Sequence, residues 1–270
     1  GTILKGTITS DVTLAAGNTY KLSGEYIVEE GGTLHIEEGV KIIAVYDDIA
    51  DYILVKQGGK INAVGTPDKP IVMTSEKEEP GAWGGIHICG RAHTNAEGGK
   101  GSSEIGGAVY GGNDDADNSG TLQYIRLEYT GFAFDEEHEA NGISFYSVGN
   151  GTIVDHCQAY KGSDDGFEFF GGSVNVSNLV AVSCSDDSFD WTEGWNGKGT
   201  NLVAYQEAES TLGYDCDCLM ECDNNGSNNA ATPVAHPVLK NLILVGNGGS
   251  KQGIRLRAGT EVEIDNAKVC

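Results

Sequence analysis

One seven-residue pattern occurs twice in this chain, and the interval between its copies limits the folds that the chain can adopt. The segment SDDGFEF at residues 163–169 is followed 22 residues later by SDDSFDW at residues 185–191. Each copy joins a pair of aspartates to a strand in which aromatic and acidic residues alternate. A repeat at such an interval is typical of architectures in which each unit stacks on the one before it.

Two series of positions extend this interval through the second half of the chain. The middle of the aromatic strand returns at intervals of 24, 22, 31 and 34 residues, at Ser144, Glu168, Asp190, Glu221 and Arg255. A polar residue returns within short β-prone segments, at His156, Asn178, Asn201, Asn241 and Asn266. Amide side chains that are stacked at one turn can hydrogen-bond to their copies above and below, as a ladder.

Helix periodicity is nearly absent from the chain. The best helical segments, YDDIADYI at residues 46–53 and EEHEAN at residues 136–141, are weak. The 40 glycines and five prolines indicate many tight turns rather than a disordered chain. We therefore predict an all-β protein, a parallel β-helix with coils of about 22–30 residues and inserted loops. A β-sandwich, the main alternative, does not explain why the aromatic strand returns in register.

Strand alternation assigns each side chain of the repeat to one side of the coil wall. The aromatic residues are predicted to stack inside, as Phe167, Phe169, Phe189 and Trp191. The acids of the first series are predicted to share an outer face, as a column of Glu168, Asp190 and Glu221 that ends at Arg255. At the neighbouring turn, we expect one stacked line of aspartates, with Asp164 and Asp165 below Asp186 and Asp187, continued by Asp215 and Asp217.

The charge of the chain limits its partners. Forty acidic residues against 17 basic ones give a net charge of −23, which repels nucleic acid phosphates and anionic membrane surfaces. The sequence has no run of about 18 apolar residues, so no transmembrane helix is predicted. We therefore expect neither a nucleic acid partner nor a membrane span.

Several longer segments carry a family resemblance. The chain contains, in this order, GTLHIEEGVKIIA, KINAVGTPDKPIVMTS, GAWGGIHICGRA, GGNDDADNSGTLQYIRLEYTG, DDGFEFFGGSVN and DDSFDWTEGWNGKG. Over about residues 31–266, it closely resembles bacterial secreted or lipid-anchored surface proteins with a right-handed parallel β-helix of the pectin-lyase-like type. The resemblance implies that fold and an exported protein, often described as an adhesin or a lipoprotein, without a settled activity.

The resemblance also suggests a domain organisation. We expect a single β-helix domain over residues 1–270, with an N-terminal cap region over about residues 1–25 and a truncated C-terminal end. Gly1 is typical of a residue left after tag removal, and an export signal is expected to have preceded it. An extracellular or cell-surface location is therefore predicted.

The first of two function classes is a non-catalytic module that binds a glycan or another surface protein. Its candidate ligand-binding residues are three acids of the outer face and one ring that is predicted to be exposed in a turn, Glu168, Asp190, Glu221 and Trp195. Trp83, which lies before two glycines, is instead predicted to belong to the core. No cofactor is required by this class.

The second class is a carbohydrate-active enzyme, a polysaccharide hydrolase or lyase, because a fold does not determine a function. Its candidate catalytic residues lie on adjacent coils, at Asp164, Asp165, Asp186, Asp187 and Arg255. Arg255 and Arg257 superficially resemble the basic pair of inverting polygalacturonases. The Gly-His-Gly element of those enzymes is missing, which puts the resemblance of the site in doubt.

Stacked carboxylates repel each other, at a cost of roughly 3 kcal/mol per contact at about 4.8 Å and an effective dielectric constant of about 20. Backbone N–H groups donated to the first aspartate of each pair, a shared proton or a cation would relieve the repulsion. The cation predicted here is calcium, bound by Asp164 or Asp165 together with Asp186 or Asp187. The acidic segment NDDADNSG at residues 113–120 is interpreted as a solvated turn whose side chains cap backbone groups.

Seven cysteines are present, and most are interpreted as small buried side chains. The register places Cys184 one coil below Cys216, or within one residue of that position. Coils about 4.8 Å apart lie within the usual Cα separation of a disulfide. We therefore predict a Cys184–Cys216 bridge.

Overall fold

The computed structural model describes residues 2–132 and 138–270, and short strands make up most of the regular structure in these parts. The strands are β1 (Ile3–Ile8), β2 (Asp11–Leu14), β3 (Thr19–Val28), β4 (Thr33–Ile36), β5 (Lys41–Ala44), β6 (Tyr52–Val55), β7 (Lys60–Val64), β8 (Ile71–Ser75), β9 (Ile86–Cys89), β10 (Gly101–Ser102), β11 (Val109–Tyr110), β12 (Gly120–Glu128), β13 (Ile143–Tyr146), β14 (Ile153–Tyr160), β15 (Phe167–Phe170), β16 (Asn175–Val182), β17 (Phe189–Thr192), β18 (Lys198–Tyr205), β19 (Met220–Asp223), β20 (Val238–Val245), β21 (Ile254–Arg257) and β22 (Glu263–Val269). A 3₁₀-helix covers Glu97–Gly99, and one short α-helix, α1, covers Glu209–Leu212.

Neither weak helical prediction is confirmed. Residues 46–53 form no helix, and β6 begins within them at Tyr52. The segment 136–141 begins outside the described residues, and its described part, from His138 to Asn141, is not helical.

Parallel pairing between successive coils generates the fold. Strands β13, β15, β17, β19 and β21 pair one after another in parallel, whereas β10 and β11 form a small antiparallel hairpin. Phe167 lies opposite Phe189 and Phe169 opposite Trp191, as the 22-residue interval predicted. The predicted right-handed parallel β-helix is confirmed.

Three faces form the wall of the β-helix. The first face contains the end of β3 followed by β6, β9, β13, β15, β17, β19 and β21. The second face begins with β2, β4 and β7, and the third includes β5 and β8. Strand β12 pairs with β7 through its first half and with β8 through its second half, so from β12 onward one long strand spans both faces.

A single residue in the left-handed region makes the bend between the second and third faces. Its φ lies between +51° and +65° in each coil from β12 onward, at Tyr124, His156, Asn178, Asn201, Asn241 and Asn266. Asparagine adopts this conformation more readily than most other non-glycine residues. The Nδ2 atoms of Asn201, Asn241 and Asn266 each donate to the Oδ1 atom of the asparagine below, at 3.1, 3.1 and 2.9 Å. The predicted asparagine ladder is confirmed.

Aromatic rings fill the inside of the coils. Phe167, Phe169, Phe189 and Trp191 are all buried, and the rings of Phe167 and Phe189 stack with centroids 5.5 Å apart. Trp83 is also fully buried, and its Nε1 atom donates to the carbonyl of Glu128 at 2.7 Å. Both predictions about the core are therefore confirmed.

Inserted segments cover part of the outer side of the first face. A second hydrophobic cluster joins outward side chains of this face to side chains from residues 105–110 and from Ala140, and it contains Tyr52, Leu54, Cys89, Ile105, Ala108, Tyr110, Ala140, Tyr146 and Phe170. The hydroxyl of Tyr146 accepts the backbone N–H of Glu104 at 3.2 Å, which ties the insertion to the face. The inserted segments therefore shield neighbouring polar side chains of the first face from water.

Candidate functional site

The acid ridge is the outward column of the first face together with the aspartates of the adjacent turn, and it comprises Glu168, Asp190, Glu221, Asp164, Asp165, Asp186 and Asp187. In the column, Glu168 lies opposite Asp190 and Asp190 opposite Glu221. Arg255 follows Glu221 on β21, at the end of the column. The predicted stacking of this column is confirmed.

The second aspartate of each pair links neighbouring coils through the backbone. Oδ1 of Asp165 accepts the N–H of Asp187 at 3.0 Å, and Oδ1 of Asp187 accepts the N–H of Cys218 at 3.0 Å. One coil below, Oδ1 of Asn141 accepts the N–H of Asp165 at 3.2 Å. Side-chain oxygens thus satisfy a backbone donor at the same point of three successive coils.

The expectation that the first aspartate of each pair accepts a backbone N–H is met at Asp164, but within its own turn and not between coils. Oδ1 of Asp164 accepts the N–H of its own neighbour Asp165 at 2.9 Å. The coil register explains the difference, because the N–H of the next coil lies above the second aspartate, not above the first.

The predicted line of aspartates continues only in part. The N–H of Asp217 donates to the carbonyl of Asp186 at 3.2 Å, so Asp217 lies above Asp186. Asp215 lies two residues earlier, and its Oδ1 atom accepts the N–H of Cys216 at 3.0 Å within its own turn. Cys218 takes the position above Asp187, because the acids of this coil are two residues apart whereas those of each repeated pair are adjacent.

Three of the four turn aspartates are buried. Asp164, Asp165 and Asp187 are 7%, 3% and 2% exposed. Burial raises the pKa of all three carboxyls, and neighbouring carboxylates raise it further. For Asp187 the pKa rises to about 8. Such groups retain a proton near neutral pH unless a cation replaces it.

Glu168 and Asp190 show the same effect in the outward column. Burial, followed by the charge of Glu104, raises the pKa of Glu168, and burial followed by the charge of Glu168 raises that of Asp190. Nδ2 of Asn141 donates to Oε1 of Glu168 at 2.9 Å and partly offsets the rise. The raised pKa values favour either a proton or a bound cation on these two carboxyls.

Two arginines neutralise the upper end of the ridge. Arg257 donates to Oε1 of Glu221 at 2.6 Å and to Oδ1 of Asp223 at 2.9 Å. Arg255 Nη1 lies 3.7 Å from the other oxygen of Glu221. Of the five candidate catalytic residues, the structure thus brings the four turn aspartates together. It places Arg255 two coils above Asp187, in an ion pair with Glu221.

Three groups of side chains in the described parts of the chain have the geometry to hold a metal ion, since their ligand atoms lie within 4.8 Å of one another. One group joins Asp165, Asp187 and Asp190, and a second joins Glu139, Asp164 and Asp186. The third contains Asp187, Asp217, Cys218 and Glu221. The first two combine aspartates of adjacent coils in the way proposed for calcium.

The prediction that Trp195 is an exposed ring is wrong. Its side chain is 1% exposed, stacks on Phe169 with centroids 4.2 Å apart, and donates from Nε1 to the carbonyl of Val174 at 3.1 Å. A Cβ atom at Gly197 would lie 2.7 Å from Nε1, so glycine allows the turn to fold back over the ring. Trp195 is therefore part of the core.

The predicted disulfide is also wrong. All seven cysteines lie in the described residues and are free, and both Cys184 and Cys216 are buried. Because Asp217 lies above Asp186, Cys216 lies above Ser185, one residue out of line with Cys184. Burial raises the pKa of the Cys184 thiol to about 12, so it packs as a neutral side chain.

The acidic segment at residues 113–120 is a turn, as interpreted. Its side chains accept backbone N–H groups of residues that follow the preceding strand. Oδ2 of Asp117 accepts the N–H of Arg91 at 2.7 Å, and Oδ1 of Asp115 accepts the N–H of His93 at 3.0 Å. Oδ1 of Asn118 accepts the N–H of Gly120 at 2.7 Å.

Asn141 is the ridge residue that sequence reasoning missed. It stands one coil below Asp165, as the first member of the series of side-chain acceptors. The sequence contains a signal for this position. The segment ANGIS at residues 140–144 aligns with DDGFE at residues 164–168 through the shared glycine, and Asn141 then takes the place of Asp165. Its amide contacts Ser144 and Glu168 at 3.0 and 2.9 Å and holds the lower end of the column.

Comparison with models of protein families agrees with the fold. No helix among the residues described is long and apolar enough to span a membrane. No curated protein matches the chain. The family model of the pectate-lyase-like β-helix domain matches residues 6–270. The chain therefore belongs to the pectate-lyase-like β-helix domain family.

Proposed function

We propose that the chain is a non-catalytic module that binds a glycan outside the cell. The proposal rests on the hydrogen bonds of Asp165 and Asp187. The Oδ1 atom of each accepts a backbone N–H of the next coil at 3.0 Å. A general acid or base must reach the proton that it transfers in a bound substrate. Two buried aspartates that hold coils together are poorly placed for that role.

The location outside the cell rests on the resemblance to exported bacterial surface proteins. A net charge of −23 keeps such a module soluble and away from anionic membrane surfaces. A glycan is preferred to a surface protein because its hydroxyl groups carry no charge that the acidic chain would repel.

Calcium binding at the acid ridge stays a prediction. The donors are carboxylate oxygens of adjacent coils, in the groups around Asp164–Asp186 and Asp165–Asp187, and calcium prefers such oxygen ligands. A bound ion would neutralise carboxyls whose burial otherwise raises their pKa. Its role would be to hold neighbouring coils together.

A carbohydrate-active enzyme is the second candidate. The observation that favours it is the approach of Asp165, Asp187 and Asp190 within 4.8 Å, with the pKa of each carboxyl raised by burial. Glycoside hydrolases use two carboxyl groups, one of them with a raised pKa.

A glycan array, probed with the whole chain in calcium and again in chelator, tests the proposed function. We expect specific binding to at least one glycan class, with no loss of the arrayed glycan over time. Failure to bind any glycan in either buffer would contradict the proposal, and so would progressive loss of a bound glycan from the array.

A further inference from the structure

Two neighbouring depressions lie along the asparagine ladder on the outside of the β-helix, and we call them together the ladder groove. Its lower part encloses about 330 Å³, and its lining includes Tyr124, Arg126, His156, Gln158, Asn178 and Val180. Its upper part encloses about 420 Å³, and its lining includes Asn201, Val203, Asn241, Ile243, Asn266 and Lys268. The groove lies between the second and third faces, whereas the acid ridge belongs to the first face.

The ladder amides retain hydrogen-bonding capacity toward the groove. Asn201 donates one N–H to Asn178 and accepts one from Asn241. A primary amide has two donors and two acceptor lone pairs. Within the described parts of the chain, Asn201 and Asn241 therefore each keep one donor and one lone pair for a ligand.

An apolar strip runs beside the ladder. Val180, Val203 and Ile243 lie in register on three successive coils and point outward. Ile243 is 47% exposed. At the lower end, the rings of Tyr124 and His156 stack with centroids 4.5 Å apart. The groove thus offers apolar surface and planar amides side by side, which suits the C–H faces and hydroxyl edges of sugar rings.

The charge of the groove differs from that of the rest of the chain. The chain has 40 acidic residues, but no aspartate or glutamate lines either part of the groove. Apart from His156, the charged lining residues are Arg126 in the lower part and Lys268 in the upper part. The carboxylate of Asp155 does not line the groove, but it accepts a hydrogen bond from Nδ2 of Asn178 at 2.9 Å and lies 2.9 Å from Nδ1 of His156 at the lower end. Above Asn178 the ladder and the apolar strip are uncharged, so this part of the groove is complementary to an uncharged ligand rather than to a cationic one.

We infer that the ladder groove binds an uncharged polysaccharide segment that lies along the axis of the β-helix. Its hydroxyl groups bond to the free amide positions of Asn201 and Asn241, and its sugar rings pack on Val203 and Ile243. This inference rests on the proposed function and adds the site and the class of glycan.

Titration calorimetry with the whole chain tests the inference, with cellohexaose, xylohexaose, mannohexaose and hexagalacturonate as probes. Ile243→Glu and Val180→Glu each place a carboxylate in the groove. Ile153→Glu is the matched control, because Ile153 is 51% exposed on the second face and does not line the groove. Circular dichroism establishes that each variant is folded.

We expect at least one neutral hexasaccharide to bind, with affinity reduced about tenfold or more in both groove variants and unchanged in Ile153→Glu. Neutral binding that neither groove variant weakens would overturn the inference and leave the proposed function standing. Binding of hexagalacturonate alone would overturn the assignment to an uncharged ligand. If no probe and no arrayed glycan binds the wild type, the proposed function fails together with the inference.

Discussion

The backbone N–H of Asp187 donates a hydrogen bond of 3.0 Å to Oδ1 of Asp165, which lies 22 residues earlier and one coil below. Asp187 in turn accepts the N–H of Cys218 at the same distance. The second aspartate of each repeated pair therefore has an architectural role, because a side chain at this point satisfies a buried backbone donor of the next coil. The interval of the repeat and its second aspartate have one physical cause.

Replacing Asp187 tests this role directly. Asp187→Ala leaves the N–H of Cys218 without its acceptor, and we expect the free energy of unfolding to fall by about 1–3 kcal/mol. Asp187→Asn keeps an oxygen at the same position and should cost much less. Denaturant unfolding at pH 6 measures both, and equal losses for the two variants would contradict the assigned hydrogen bond.

Stability should also depend on pH in a defined direction. Burial raises the pKa of Asp187 to about 8, whereas an unfolded aspartate titrates near about 3.9. The folded state binds the additional proton, so its stabilisation is complete below about pH 4 and is lost as the pH rises through about 8. In chelator, we expect the melting temperature at pH 8 to be lower than at pH 5.

The variant Asp187→Asn should reduce this pH dependence, by an amount of the order of a few kcal/mol between the two pH values. Asp265→Asn is the matched control, because Asp265 is exposed on β22 and its replacement removes the same charge from the surface. An equal effect of the two variants would show that total charge, not the buried carboxyl, sets the pH dependence.

Calcium should stabilise the wild type if the acid ridge binds it. At pH 7.5 and about 100-fold above its dissociation constant, calcium would add about 2.7 kcal/mol, or roughly 5–10 °C in melting temperature, relative to chelator. Asp165→Asn and Asp187→Asn should lose most of this shift, and Asp265→Asn should retain it. An unchanged wild-type melting temperature would mean that the repeated aspartates are backbone acceptors without a cation.

The asparagine ladder makes a separate prediction. Asn201→Ala removes two ladder hydrogen bonds and places alanine at a φ of +57°, so we expect a loss of about 2–4 kcal/mol. Asn201→Gly removes the same bonds without the backbone strain and should lose about 1–2 kcal/mol less. Thermal unfolding of both variants measures the difference, and an equal loss would contradict strain at this bend.

Much of the fold could be predicted because two side-chain periods coincide in the sequence. The spacing of Phe167 from Phe189 and of Asn178 from Asn201 reports the length of one coil, and parallel stacking places equal positions above one another. The prediction loses accuracy where the spacing of the acids changes. Asp215 and Asp217 are two residues apart, so only Asp217 continues the aspartate line, and Asp215 accepts the N–H of Cys216 within its own turn.

The environment of the site could not be predicted in the same way. Strand alternation places Glu168 outside the coil, but it does not show that Ile105 and Tyr110 return from an insertion to cover the lower part of that face. The burial of Trp195 is not predictable from its local sequence for a similar reason, since it depends on a turn that folds back at Gly197. Long-range contacts, not local pattern, decide the burial of these side chains.

The central claim is that the chain binds a glycan without cleaving it, and that its paired aspartates hold the coils together. The most direct measurement compares the wild type with the double variant Asp165→Asn/Asp187→Asn on a glycan selected by the array, following both bound glycan and released products. We predict equal binding by the two proteins and no product from either. Product release by the wild type that the double variant abolishes, while it still binds the glycan, would contradict the account and establish the acid ridge as an active site.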